Sequence, residues 1–232
     1  MTNNFLCQWK LADLRDPRDL RSCERNLCLY IIDWKYKGNS NVIFKVDSSG
    51  KLLKKWSTGS NYGRISVTNE STVLLAVHSE MKLNEYSCEG QLLREITLKI
   101  DTGAKHPWHA VSLPSGQFLV SLHANGRSQH RLCVIDHNGD TVRSAGQMEQ
   151  IDDPVCLAFD GDGSIIVADQ FKNRLLLYDL NLELKKEIIS ETDGLFNLPL
   201  ISFELQESTG RLFVTFCDEE VNNIVQVFSI WN

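Results

Sequence analysis

The stretch Asp153–Ile189, DPVCLAFDGDGSIIVADQFKNRLLLYDLNLELKKEII, divides into four short aliphatic runs: Val155 to Phe159, Ser164 to Ala168, Arg174 to Tyr178 and Glu183 to Ile189. Each run is short enough for a strand and is bounded by turn-forming residues, so the stretch predicts one four-stranded antiparallel meander. Asp160-Gly161-Asp162-Gly163 joins the first two runs as a tight turn. Glycine supplies the positive φ there and aspartate a local side-chain hydrogen bond.

The same pattern recurs along the chain. The residue that opens each first strand is Pro17, Gly63, Pro107, Pro154 or Pro199, at spacings of 46, 44, 47 and 45 residues. A repeat of this length built from short strands is the mark of a propeller. The second strands read Cys28 to Ile32, Val73 to Val77, Gln117 to Leu122, Ser164 to Ala168 and Arg211 to Phe216. The third read Val42 to Val46, Lys82 to Tyr86, Arg131 to Ile135, Arg174 to Tyr178 and Ile224 to Phe228. Long helical periodicity is absent.

Asp153-Pro154, Ile165 with Val167-Ala168-Asp169, and Asn173-Arg174 resemble the NHL repeat, whose pattern runs from Pro through an aliphatic strand, D-x-x-G and V-A-D to N-R. The resemblance covers nearly the whole chain. It is strongest over residues 107–189 and weakest in the second copy, where Val77-His78 replaces the Ala-Asp pair. It implies an all-β propeller of four-stranded blades at about 11–57, 62–98, 106–146, 153–189 and 198–230, a single unit over residues 4–230. The fifth copy stops after its third strand, so the expected closure pairs a strand at Phe5 to Trp9, within segment 4–10, with that edge. This gives five closed blades, with a six-bladed or incomplete ring as the rival. NHL domains commonly form the C-terminal module of larger proteins and bind proteins or RNA, and that role is the one the resemblance implies here.

Composition sets bounds on function. The net charge of −6 argues against bulk coating of nucleic acid. Charge is uneven, with 12 Lys+Arg against 6 Asp+Glu in residues 1–64, which leaves 12 against 24 in the remainder. No apolar run approaches membrane-spanning length, so no membrane partner is expected. Seven cysteines, an odd number and sparsely spread, favour a reducing, cytoplasmic setting over a disulfide scaffold; Cys23 and Cys28 could nevertheless bridge a hairpin.

Second strands end in Asp33, His78, His123, Asp169 and Cys217, an alignment that at first looks like a ring of metal ligands. Equivalent positions are not convergent ones, so capping of the following loop is the reading preferred, and no metal or other cofactor is expected. Five of the six histidines, His106, His109, His123, His130 and His137, fall in the third copy. The zinc-lyase propellers that NHL repeats resemble draw their histidines from several blades, and this chain departs from that. Strand alternation also sends His106 and His109 to opposite faces. Lactonase propellers cage calcium with acidic inner strands, whereas here only Asp19 is acidic among the expected inner segments. Asp160-x-Asp162-Gly163 lacks the terminal Glu of a calcium loop, having Phe171 there. With no nucleophile elbow, phosphate loop or C-x-x-C pair, the chain is expected to carry no catalytic residue.

Loops joining the second to the third strand, and the fourth to the next first strand, crowd one face of a propeller. In copies one to three those loops and the residues beside them carry Arg18, Trp34, Lys35, Tyr36, Lys37, Tyr62, Arg64, Trp108, His109 and Arg127. Aromatic residues and arginine at an exposed rim are typical of partner hot spots. The expectation is a non-catalytic recognition domain or scaffold for a protein or peptide, with an acidic segment suiting the basic first copy. Single-stranded RNA on the same face, and a metal-dependent lyase or lactonase in the channel, are the alternatives.

Overall fold

The computed structural model describes residues 11, 13–34, 41–59, 63–100, 106–124, 130–146, 151–189, 200–206, 210–216 and 224–229. They form four four-stranded sheets and one three-stranded sheet, every one an antiparallel meander in chain order. The first comprises β1 (Pro17–Cys23), β2 (Cys28–Trp34), β3 (Asn41–Asp47) and β4 (Leu52–Ser57). The second comprises β5 (Ile65–Val67), β6 (Val73–Val77), β7 (Lys82–Tyr86) and β8 (Leu92–Thr97). β9 (His106–Ser112), β10 (Phe118–His123), β11 (Arg131–Ile135) and β12 (Thr141–Ala145) make the third. β13 (Pro154–Phe159), β14 (Ser164–Asp169), β15 (Arg174–Asp179) and β16 (Leu184–Ile189) make the fourth, and β17 (Leu200–Gln206), β18 (Arg211–Phe216) and β19 (Ile224–Ser229) the last.

This is a β-propeller with four-stranded blades. The expected count of five complete blades in a closed ring is corrected: four are complete among the described residues, and the last sheet has three strands. The closing strand expected at Phe5 to Trp9 lies outside the described residues.

Sheets stack side by side, and the sequence of each second strand follows from that packing. In β6, Leu75 packs toward Tyr30 and Ile43 of the first sheet, while its neighbour Leu74 packs toward Phe118 and Val120 of the third. In β10, Leu119 faces Leu157 and Val167 while Val120 faces back. In β14, Ile166 reaches Phe203 and Leu212 while Val167 faces back. Alternate side chains thus enter opposite inter-sheet layers, both dry. Such strands read as continuous aliphatic runs, where a one-sided strand would alternate. Burying a side chain such as Phe118 contributes about 1.5–3 kcal/mol. Outermost strands such as β4 are largely exposed and polar.

Consecutive first strands β1, β5, β9, β13 and β17 meet one another and are the innermost. Four of them, β1, β9, β13 and β17, carry the same irregularity near their start. The register slips by one residue at Arg18, at Trp108, at Val155 and at Ile201, each left without a ladder partner. Such bulges re-aim a side chain. One glycine is required by close approach of sheets. Gly139, at φ +83°, would place a Cβ 1.9 Å from the Thr97 carbonyl, and its own carbonyl accepts the Lys99 N–H at 2.9 Å. Cys23 and Cys28 face each other across β1 and β2 as buried free thiols. Among the described residues no helix is long and apolar enough to cross a membrane.

Candidate functional site

Ends of second strands and starts of first strands come together on one face. At two of them a carboxylate ties the turn. Asp33 accepts the N–H groups of Arg15 and Asp16 at 2.6 and 2.9 Å. Asp169 accepts those of Asp152 and Asp153 at 3.1 and 2.8 Å and holds the Arg174 Nε at 2.9 Å. Both are fully buried. In the second and third sheets the same place is taken by His78 and His123, which cap nothing in this way and fill the space with rings.

The result is a contiguous aromatic array. His78 stacks on His106 with centroids 4.2 Å apart, and meets the edge of Trp108 at 5.2 Å. Trp108 lies face to face with His123 and edge-on to Trp34. His123 meets His130 edge-on at 5.0 Å. Arg18 sets its guanidinium 5.2 Å from the Trp34 ring centroid, and the Trp34 Nε1 donates to the Gly63 carbonyl at 3.2 Å. Arg18 and Trp108, which start the array at two points, are two of the bulged residues described above. All these rings are half-buried except His130, which is buried.

Burial dominates the electrostatics. It pushes the His123 imidazole down to about 3, against the opposing pull of the Pro154 carbonyl. His78 falls to about 4 through burial and its neighbour His106, and burial also lowers His130. His78, His123 and His130 are therefore neutral rings at neutral pH. Three buried polar atoms in it have no hydrogen-bond partner, His78 Nδ1, Trp108 Nε1 and His130 Nδ1. An unmet buried polar atom costs about 1–3 kcal/mol, so three in one place call for an explanation.

Two residues expected at the exposed rim lie elsewhere. His109, fully buried, points from β9 the opposite way from His106 and Trp108, as alternation requires. Its Nδ1 accepts the Leu157 N–H at 2.9 Å, which leaves Nε2–H to donate to the Ile65 carbonyl at 3.2 Å. The ring links β5, β9 and β13 as a fixed neutral tautomer, and burial followed by the Arg21 charge drops its pKa to about 3. Arg64 is also buried, with its Nη1 3.2 Å from the Ser202 Oγ and 3.8 Å from Asp19. Lys35, Tyr36, Lys37, Tyr62 and Arg127 lie outside the described residues, as does Cys217. Of the expected rim, the structure brings together Arg18, Trp34 and Trp108.

Arg64 belongs to a charged cluster where the inner strands converge. Arg21 lies 3.3 Å from Asp19 and 3.0 Å from Glu204, and its Nη2 donates to the Cys156 Sγ at 3.4 Å. Beyond it, a cavity of about 780 Å³ opens between the turns at the other end of the inner strands, lined by Arg25, Asp160, Asp162 and Glu204 among others. Three features had escaped the sequence. Glu204 is a second acidic residue on an inner strand, β17, where only Asp19 was expected. His130 and Asp153 stand beside His123, which the ring of strand ends alone did not reveal. The signal was that His130 opens the strand paired with β10 and Asp153 opens the next sheet on the same face.

No family model matches this chain, and no curated protein matches it. Solved structures do. A protein of unknown function from Bacteroides caccae superposes with a TM-score of 0.59 at 15% identity, over 80% of this chain and 70% of that one. A luciferin-regenerating enzyme superposes with a TM-score of 0.64 at 12% identity, over 88% of this chain and 69% of that one. At such identities the likeness shows a shared propeller architecture and no shared chemistry. It does correct the expectation of a domain without enzymatic activity, because a propeller of this architecture bears an enzyme's name. The channel lyase or lactonase gains no support from the histidines of the described inner strands: His106 stacks on His78, and His109 has both ring nitrogens engaged with backbone.

Proposed function

We propose that this chain is an NHL-like propeller that binds an acidic protein or peptide segment on the face carrying Arg18, Trp34 and Trp108. The observation that carries the binding reading is the aromatic array itself. Flat rings on rigid strand ends offer contact area at low ordering cost, and the Trp108 Nε1 is a buried donor waiting for an acceptor. Arg18, with 52% of its side chain exposed, stands at the edge of the array paired with Asp16 through Nε at 2.8 Å and Nη2 at 3.1 Å, an exposed pair that an incoming carboxylate would have to share or displace.

Peptide display against the whole chain tests the reading. Acidic peptides should be enriched by the wild type, and the enrichment should be lost with Arg18→Ala and weakened with Trp34→Phe, both checked for an unchanged fold. Equal enrichment by wild type and Arg18→Ala would overturn it. Homopolymer RNA belongs in the same experiment, since RNA capture with a steep loss on adding salt would move the reading to nucleic acid.

A further inference from the structure

We propose that His123, His130 and Asp153 form a zinc site at the junction of the third and fourth sheets. This does not depend on the peptide-binding reading. One ligand atom from each residue lies within 4.8 Å of the others. His123 Nε2 is 3.2 Å from Asp153 Oδ1, and His130 Nδ1 is 3.9 Å from the same oxygen. A tetrahedral zinc bound at about 2.0–2.1 Å holds its ligand atoms roughly 3.3 Å apart. Movements of well under a side chain's reach therefore close the triangle.

The supports are rigid. His123 ends β10 and His130 directly precedes its partner β11, so one hairpin carries both imidazoles. Asp153 directly precedes β13, and its backbone is fixed at both ends: its N–H donates to Asp169 at 2.8 Å and its carbonyl accepts the Gln170 N–H at 2.9 Å. Asp169 thus orients the neighbouring carboxylate ligand, the kind of outer support that metal sites need.

A hydrogen-bonded His–Asp pair accounts for less of the geometry. It explains His123, whose Nε2 could donate to Asp153 or to the Pro154 carbonyl 3.3 Å away. It leaves His130 unexplained. That side chain is 93% buried, its Nδ1 has no hydrogen-bond partner, and 3.9 Å to the carboxylate is too long for a hydrogen bond. A cation shared by the three groups satisfies the nitrogen, and it requires the tautomers with the proton on His123 Nδ1 and His130 Nε2. Two imidazoles select a borderline transition cation over calcium or magnesium, which prefer oxygen cages. Three protein ligands leave one position of the tetrahedron for water or an anionic group.

The test uses the full chain, stripped with chelator and titrated with zinc against a chromophoric competitor. The wild type should bind one zinc saturably. His130→Asn and Asp153→Asn should weaken it at least roughly 100-fold, beyond the 10–100-fold typical of losing an outer-shell partner. His137→Asn, in the exposed β11–β12 turn, should bind as the wild type does. Absence of saturable 1:1 binding overturns the proposal, as does undiminished binding by both variants. Where a variant fails to fold, histidine ¹⁵N spectra of the wild type decide: zinc should shift His123 and His130, and shifts confined to other histidines sink the assignment.

Discussion

The indole of Trp108 and the imidazole of His123 lie almost parallel, with ring centroids 4.8 Å apart and 9° between their planes. The pair joins the aromatic array to the proposed zinc ligands, so an indole reports on whatever His123 binds. Cobalt(II) added to the chelator-treated protein should quench part of the tryptophan fluorescence. The quench should vanish in Trp108→Phe, which keeps a ring in place, and a quench unchanged in that variant would place the cation elsewhere.

Arg18 and Trp108 occupy equivalent bulges but differ in burial. Truncating Trp108 removes packing against the core between the fourth and last sheets, and Trp108→Ala should cost about 3–5 kcal/mol of stability. Arg18→Ala should change stability by less than about 0.5 kcal/mol, as surface substitutions usually do. Urea unfolding of both variants beside the wild type measures the contrast.

The buried histidines make stability fall in mild acid. His109, His123 and His78 have folded pKa values near 3, 3 and 4 against an ordinary 6.5. Above about pH 6.5 both folded and unfolded chains hold them neutral, and stability is full. Below it the unfolded chain takes up protons that the folded one refuses, so stability drops as pH falls from 6.5 toward 3–4. Around His109 the facing charges are Arg21 and Arg64, which oppose protonation, and Asp19, which favours it. Urea midpoints at pH 7.5 and 5.0 should differ, since ordinary carboxylates titrate mostly below that interval. Glu204, which burial raises to about 7, acts in the opposite sense by stabilising the fold as it protonates. His109→Gln should shrink the difference, whatever it does to stability at pH 7.5.

Arg21 neutralises a carboxylate that water barely reaches, since the Asp19 side chain is 2% exposed. Arg21→Met should destabilise by about 3–5 kcal/mol, the cost of stranding a buried charge. The double change Arg21→Met with Asp19→Asn should recover much of the loss. A double mutant no better than Arg21→Met alone would show that packing of the long side chain decides the effect.

Gly139→Ala asks how tightly the second and third sheets abut. A Cβ there meets the Thr97 carbonyl oxygen and sits on a left-handed backbone, so a loss of at least about 2 kcal/mol is expected by thermal melting. Gly116→Ala shares the positive φ but has open space around it, so it should cost clearly less.

Much of the architecture was legible in the chain because its period is written in turn residues. Pro154, Gly163 and Asn173 mark boundaries that backbone geometry demands locally, and the aliphatic runs of β6, β10 and β14 follow from burial on both faces. The functional face was harder to read. Arg18, Trp34 and Trp108 were visible as equivalent positions beside loops, yet Arg64 at the same repeat position turns inward to Asp19 and Ser202. Nothing in the repeat separates the two arginines, because the direction each takes depends on sheets far away in sequence. The trio His123, His130 and Asp153 is similar. It forms where two sheets meet, and repeat alignment compares positions within sheets.

The contact between Arg21 and Glu204 spans 183 residues of chain. Hairpins within each sheet close over a few residues and can form as the chain emerges from a ribosome, but this contact has no partner until the last sheet has been made. Until then the first strand carries a guanidinium and the fourth sheet an apolar flank, both awaiting Glu204, Phe203 and Leu212. Synthesis order therefore gives this protein a long interval in which most of it is built and its centre is still open to solvent and to other chains.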